Sequence, residues 1–271
     1  MLLYALTISL SAFLLFAVQP IIAKMILPWF GGSSAVWSTC MLFFQAVLLL
    51  GYAYAHWLHH KLSARAQAAA HCILLAASLA TLPILPNQAW ATAGGPPSLR
   101  ILALLAITVG LPYFLLSSTS PLLQAWYARN DGQGLPYRLF ALSNFFSMLA
   151  LLSYPLVVEP NISVHHQGVD WSWAYAAFVL SCGLTAWRSS AGPAAVAAQA
   201  GESAPAADGP PPEWTIRGFW LCLAASASIL LLAVTNHLTQ DVAAIPFLWI
   251  LPLSVYLLSF IVCFESPRFY R

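Results

Sequence analysis

Apolar residues run through this chain in long blocks, with the polar residues gathered between them. Crossing a hydrocarbon core of about 30 Å takes roughly 20 apolar residues as a helix, because the bilayer offers no partner to a backbone polar group. Eight segments meet that need, at 2–27, 35–54, 68–85, 99–126, 139–158, 171–187, 219–235 and 244–264. The third is short and Ala-rich and ends in Pro83 and Pro86, while Gly110 and Pro112 mark a kink in the fourth. The expected fold is all-α, a polytopic transmembrane bundle of about eight helices. It divides into a six-helix bundle over 1–188, a flexible Pro/Ala/Gly-rich linker over 189–215, and two further helices over 216–271.

Charge sets an orientation for these segments. Lys61, Arg65, Arg129, Arg138, Arg188, Arg217, Arg268 and Arg271 all fall on the cytoplasmic side if the N-terminus starts there, which leaves Lys24 and Arg100 to the other face. Six helices, a polar linker and two more resemble the half-and-half plan of major-facilitator transporters, with the second half cut short. The first segment has no basic leader and runs on into Gln19 and Pro20, so it is expected to stay as an anchor rather than be cleaved as a signal.

Composition agrees. At 61% hydrophobic, 7% charged and a mean hydropathy of +0.78, an ordinary soluble domain is excluded, and the lipid bilayer is the expected surrounding. A net charge of +2, spread over helix ends, gives no nucleic-acid surface. Cys40, Cys72, Cys182, Cys222 and Cys263 stand singly in apolar runs, which suits neither a disulfide framework nor a zinc site, and no cofactor motif is present.

Against this background the polar residues inside or beside the membrane carry the functional question. Lys24 sits in an apolar run between Pro20 and Pro28, and a cation there must reach water or find a partner. On the same outer face lie Glu159 and Asn161, then Asn236, His237, Gln240 and Asp241 between the last two segments, with His165 and His166 in the loop after the fifth. Glu159 and Asp241 are the two candidate counter-ions. Lys24 with Glu159, Asn236, His237, Gln240 and Asp241 is the expected ligand site, suited to a small anionic or zwitterionic compound, the alternative being a snorkelling lysine with the acids in water.

A second cluster, Ser117, Ser118, Thr119, Ser120 and Gln124 beside Pro121, falls in the inner half of the fourth segment, with Asn144 at similar depth on the fifth. These side chains either pack helices together or line a pathway. His56, His59 and His60 next to Lys61 form an interfacial basic cap, and Trp29, Trp37, Trp57, Trp90, Trp126, Trp171, Trp187 and Trp214 mark the membrane interfaces. The sequon Asn161-Ile162-Ser163 faces outward.

Several runs resemble a known family. They are 16–32 (Phe-Ala-Val-Gln-Pro-Ile-Ile-Ala-Lys-Met-Ile-Leu-Pro-Trp-Phe-Gly-Gly), 35–40 (Ala-Val-Trp-Ser-Thr-Cys), 115–126 (Leu-Leu-Ser-Ser-Thr-Ser-Pro-Leu-Leu-Gln-Ala-Trp), 137–144 (Tyr-Arg-Leu-Phe-Ala-Leu-Ser-Asn) and 235–252. Together they are similar to the membrane part of bacterial fused major-facilitator/spermidine synthase-like proteins. That resemblance implies a bacterial inner-membrane protein and, in the family, a following soluble domain resembling aminopropyltransferases. The chain lacks the Gly-x-Gly-x-x-Gly turn and the acidic strand end of such a domain, so aminopropyl transfer is not assigned to these residues.

Three functions follow as alternatives. The first is a transport-like module with an outward-facing polar pocket; a polyamine suits it poorly, because Lys24 repels a polycation. The second is a scaffold or accessory subunit, completed by a second copy or another membrane protein. The third is a membrane-embedded enzyme using Glu159, Asp241 or His237 as acid and base at the outer face.

Overall fold

A computed structural model describes residues 1–92, 94–131, 137–191, 213–238 and 250–265. The fold is an all-α helical bundle, and no strand occurs among the described residues. In chain order the helices are α1 (Leu2–Phe30), α2 (Ser34–Lys61), α3 (Ala64–Ser78), α4 (Ala89–Thr92), α5 (Pro97–Leu105), α6 (Leu111–Asp131), α7 (Tyr137–Ser153), α8 (Glu159–Asn161), α9 (Val164–Ser190), α10 (Trp214–His237) and α11 (Ile250–Glu265). Five stretches are long and apolar enough to cross a membrane: Leu2–Phe30, Ala35–Lys61, Pro97–Arg129, Arg138–Asn161 and Trp214–His237. The protein is therefore a membrane protein. Helix α9 has the length at 27 residues but carries a more polar, Trp-rich sequence.

Local chemistry explains the helix ends. Ser33, Ser63 and Ser163 sit in extended backbone just before α2, α3 and α9, and each hydroxyl accepts from the amide three residues on, at 3.5, 3.4 and 3.5 Å. At the far end of α1, Gly31 takes φ +80° and its amide donates to Leu27 O at 2.9 Å, a left-handed stop that a side chain would strain.

Two of the crossings contain a widened π turn. Ala106–Gly110 joins α5 to α6 just before Pro112, and Tyr154–Val158 joins α7 to α8 around Pro155. Proline brings no amide and pushes against the carbonyl four residues back, so the helix yields locally to a wider turn and continues.

The bundle is built around α1. Its residues are apolar on every side, and it packs on α6, α7 and α9 together. Helix α2 lies outside α5 and α6, α3 outside α9, and α11 outside α7. Helix α10 packs chiefly on α11 and is otherwise exposed, with Trp214 83% and Leu221 72% accessible. The core runs from Leu14, Val18, Ile22 and Ile26 on α1 to Leu115 and Leu116 on α6 and Tyr175 and Phe178 on α9.

Hydrogen bonds tie the central helix to its neighbours at successive depths. Thr7 Oγ1 meets Thr185 Oγ1 at 3.1 Å, Ser11 Oγ donates to Leu116 O at 3.1 Å, Trp171 Nε1 donates to Leu14 O at 3.0 Å, and Gln19 Nε2 donates to Tyr113 OH at 3.2 Å. With lipid around the bundle, polar groups inside it are held only if their partners are protein. The pairing of Thr7 with Thr185 also sets α9 antiparallel to α1, so the ends of the bundle can be told apart. One end carries the α2–α3 turn, the end of α6 and the end of α9, hence Lys61, Arg65, Arg129 and Arg188; the other carries Lys24.

Some element boundaries differ from the sequence-based expectation. Helix α2 continues past residue 54 to Lys61, since Ala55 and Leu58 on its inner face are buried. His56, His59 and His60 therefore lie on its last two turns rather than beyond the helix. Helix α9 begins at Val164, so His165 and His166 occupy its first turn and not a loop, because Ser163 caps it and Gln167 and Gly168 are buried. The third segment is helical only to Thr81, the last three residues as a 3-10 turn.

Candidate functional site

Lys24 has a partner: its Nζ donates to Glu159 Oε1. The lysine lies one turn past Pro20 on the central helix, and the glutamate opens α8 directly after the π turn of Tyr154–Val158. Both groups are partly buried, with 31% and 25% of their side chains exposed. Of the two counter-ions expected for Lys24, Glu159 is thus in contact, while Asp241 lies outside the described residues, as does Gln240.

The ground below this pair is polar and tightly held. Tyr154 OH donates to Gln167 Oε1 at 3.1 Å, and Gln167 Nε2 donates to Ile162 O at 2.8 Å, which fixes the start of α9 against the end of α7. Gly168 lets Met25, the neighbour of Lys24, approach: a Cβ built there would stand 2.7 Å from Met25 Cε. Towards water lie Asn161, whose Nδ2 donates to Val157 O at 2.7 Å, and His166, whose Nδ1 meets Ser163 Oγ at 2.7 Å. Arg100, the other cation of this end, stacks over Phe30 at 5.1 Å and donates to Trp90 O. Sequence reasoning passed over Gln167, which shows no signal until its contacts with Tyr154 are known.

The remaining expected site residues are placed as follows. Asn236 and His237 are exposed and close α10. Ser117, Ser118 and Thr119 are buried on α6, and each donates to a carbonyl of its own helix: Phe114 O at 2.7 Å, Leu115 O at 2.9 Å and Leu115 O at 2.7 Å. Gln124 Nε2 donates to Ser120 Oγ at 3.0 Å, and Asn144 Nδ2 to Phe140 O at 2.9 Å. Helices α2 and α6 approach closely at this cluster. Gly51 of α2 faces Ser117 so tightly that an added Cβ would fall 1.8 Å from Ser117 Oγ.

The chain matches no protein-family model, no curated protein and no solved structure. Chemistry has therefore to be drawn from the residues themselves. Among the described residues no group of three or more His, Cys, Asp or Glu side chains could hold a metal ion, and the five cysteines are free. His60 is tilted against His56 and meets His59 edge-on, with ring centroids 4.3 and 5.4 Å apart. What the Lys24 end offers is an ammonium held by a carboxylate, both partly exposed, at one end of a packed bundle.

Proposed function

We propose that this chain is a transport-like module of a bacterial inner membrane, related to the membrane part of the fused major-facilitator/spermidine synthase-like proteins it resembles. It takes a small anionic or zwitterionic ligand at its outer end. The observation that carries this reading is the partly buried Lys24–Glu159 pair at the end of the central helix. An ion pair kept at that depth costs desolvation of both charges, and a ligand carboxylate can take the place of Glu159 on Lys24 without leaving a bare cation. The basic residues at the opposite end support a cytoplasmic position for that end, and with it for the N- and C-termini.

A scaffold role is the second reading, favoured by α10. This helix touches chiefly α11 and exposes Trp214, Phe219, Leu221, Ile229 and Leu230 around its circumference. Such a helix suits packing against a further membrane protein or a second copy as well as against lipid.

Thermal stability in detergent with a panel of amino acids, short peptides and polyamines separates the two. A ligand that binds only the folded state raises the melting temperature. Stabilisation of the wild type by an amino acid or peptide, lost in Lys24→Ala and kept or enlarged in Glu159→Gln, where the competing carboxylate is gone, supports the ligand site. No response from any compound sinks it and leaves the scaffold.

A further inference from the structure

At the end of the bundle opposite Lys24, Arg129 of α6 reaches in between the α2–α3 turn and the end of α9. Its Nη1 donates to Gln67 Oε1 and its Nη2 to Ser189 Oγ, both at 3.4 Å, the long limit of a hydrogen bond, and its buried Nε has no partner. Both partners are neutral, and Gln67 Oε1 is already held by Trp126 Nε1 at the shorter distance of 2.9 Å. Gln67 is itself fixed, donating to His59 O at 3.1 Å and Leu62 O at 2.8 Å, so it cannot turn to serve the arginine better. Among the described residues the Lys24 pair is the ion pair found, and Arg129 has none.

His59 lies within charge-interaction range of Arg129, His60 and His56, and Lys61 follows at the exposed end of α2. A half-buried guanidinium with weak neutral contacts, an idle Nε and no carboxylate partner among the described residues is an unfilled anion site. Its planar fork suits the tetrahedral oxygens of a phosphate, which it grips with two parallel hydrogen bonds. At the membrane surface, basic clefts between helices meet phosphate on acidic headgroups.

We infer that Arg129, with His59 in charge-interaction range and the exposed Lys61 at the same end of the bundle, binds a phosphate group, carried either by an acidic phospholipid headgroup or by a soluble phosphoester. The phosphate takes the Nη donors left over by the 3.4 Å contacts, and draws the side chain towards the surface so that Nε is also paired.

The test is the melting temperature of the protein in phosphatidylcholine nanodiscs, titrated with phosphatidylglycerol in one series and with glycerol 3-phosphate in the buffer in another. The expected result is a saturable rise in one series: in the first for a lipid headgroup, in the second for a soluble phosphoester. Arg129→Gln moves the midpoint of that rise by at least about fivefold while melting like wild type in pure phosphatidylcholine. Lys61→Gln, an exposed position, moves it in the same direction and serves if the arginine variant does not fold. Arg217→Gln, a basic residue stacked on Trp214 of α10, is the control and should respond as wild type. No rise in either series overturns the inference. So does an equal loss in Arg217→Gln, which would reduce the effect to diffuse surface charge.

Discussion

Breaking the Lys24–Glu159 pair should cost stability in a way that depends on both residues. Each side chain is roughly two-thirds to three-quarters covered, with exposures of 31% and 25%, so neither the value for a surface pair nor that for a dry interior applies. Two unit charges about 4 Å apart attract by about 1 kcal/mol in water and about 4 kcal/mol at the effective dielectric near a protein surface. Desolvation and side-chain ordering subtract from this, leaving a net coupling of about 1–2 kcal/mol. Glu159→Gln and Lys24→Met should each lose about 1–2 kcal/mol, since each leaves a partly covered charge alone. The double variant should lose less than the sum by about the coupling. Reversible unfolding in mixed detergent micelles gives the three numbers. If the two changes add to within about 0.5 kcal/mol, the residues are not coupled and the site is two independent surface charges.

Two glycines should differ in how much stability they lose when replaced by alanine. Gly51→Ala places a Cβ 1.8 Å from Ser117 Oγ, 2.9 Å from Ser117 Cβ and 3.1 Å from Phe114 O, so α2 and α6 must separate, at a cost of about 1–3 kcal/mol on the same unfolding assay. Gly168→Ala crowds only side-chain ends, Met25 Cε and Leu85 Cδ2 at 2.7 and 2.9 Å, with Ile84 O at an ordinary 3.6 Å, and should lose less than about 1 kcal/mol. Gln67→Leu leaves the buried Trp126 Nε1 without its acceptor and should lose about 1–3 kcal/mol, with a red or blue shift of tryptophan emission that Trp126→Phe abolishes. Trp171→Phe keeps the stacking on Tyr175 at 5.2 Å but removes the bond to Leu14 O, and should lose about 1 kcal/mol.

Of the eight segments expected from hydropathy, five coincide with stretches long and apolar enough to cross a membrane, because lipid demands long apolar helices; hydropathy failed where a helix continues as a polar stretch buried on one side. Helix α2 was cut short at residue 54 because His56, His59 and His60 lower the local hydropathy, although Ala55 and Leu58 three residues apart already marked an inner face. The first turn of α9 was missed for the same reason, despite the capping signal at Ser163. For Lys24 the sequence narrowed the counter-ion to two residues by placing helix ends on one side of the membrane. Only the helix packing brings Glu159 into contact. Gln67 carries no sequence signal, and Arg129 stands out only as one of the basic residues that set the orientation: a glutamine in an Ala-rich segment and an arginine at a helix end look ordinary until the distances between α3, α6 and α9 are known.

The π turn at Tyr154–Val158 also bears on how such a chain tolerates insertions and deletions. Successive residues of a regular helix point about 100° apart, so one residue gained or lost in the body of α7 would swing Glu159 out of line with Lys24. A π turn is what a helix makes when it has absorbed a single extra residue and then resumed its former phase. Lineages carrying one residue fewer at this turn would still present the carboxylate to the same lysine, through an uninterrupted α-helix. Length variation between Tyr154 and Val158 is therefore expected to be neutral for the ion pair, and variation a turn earlier is not.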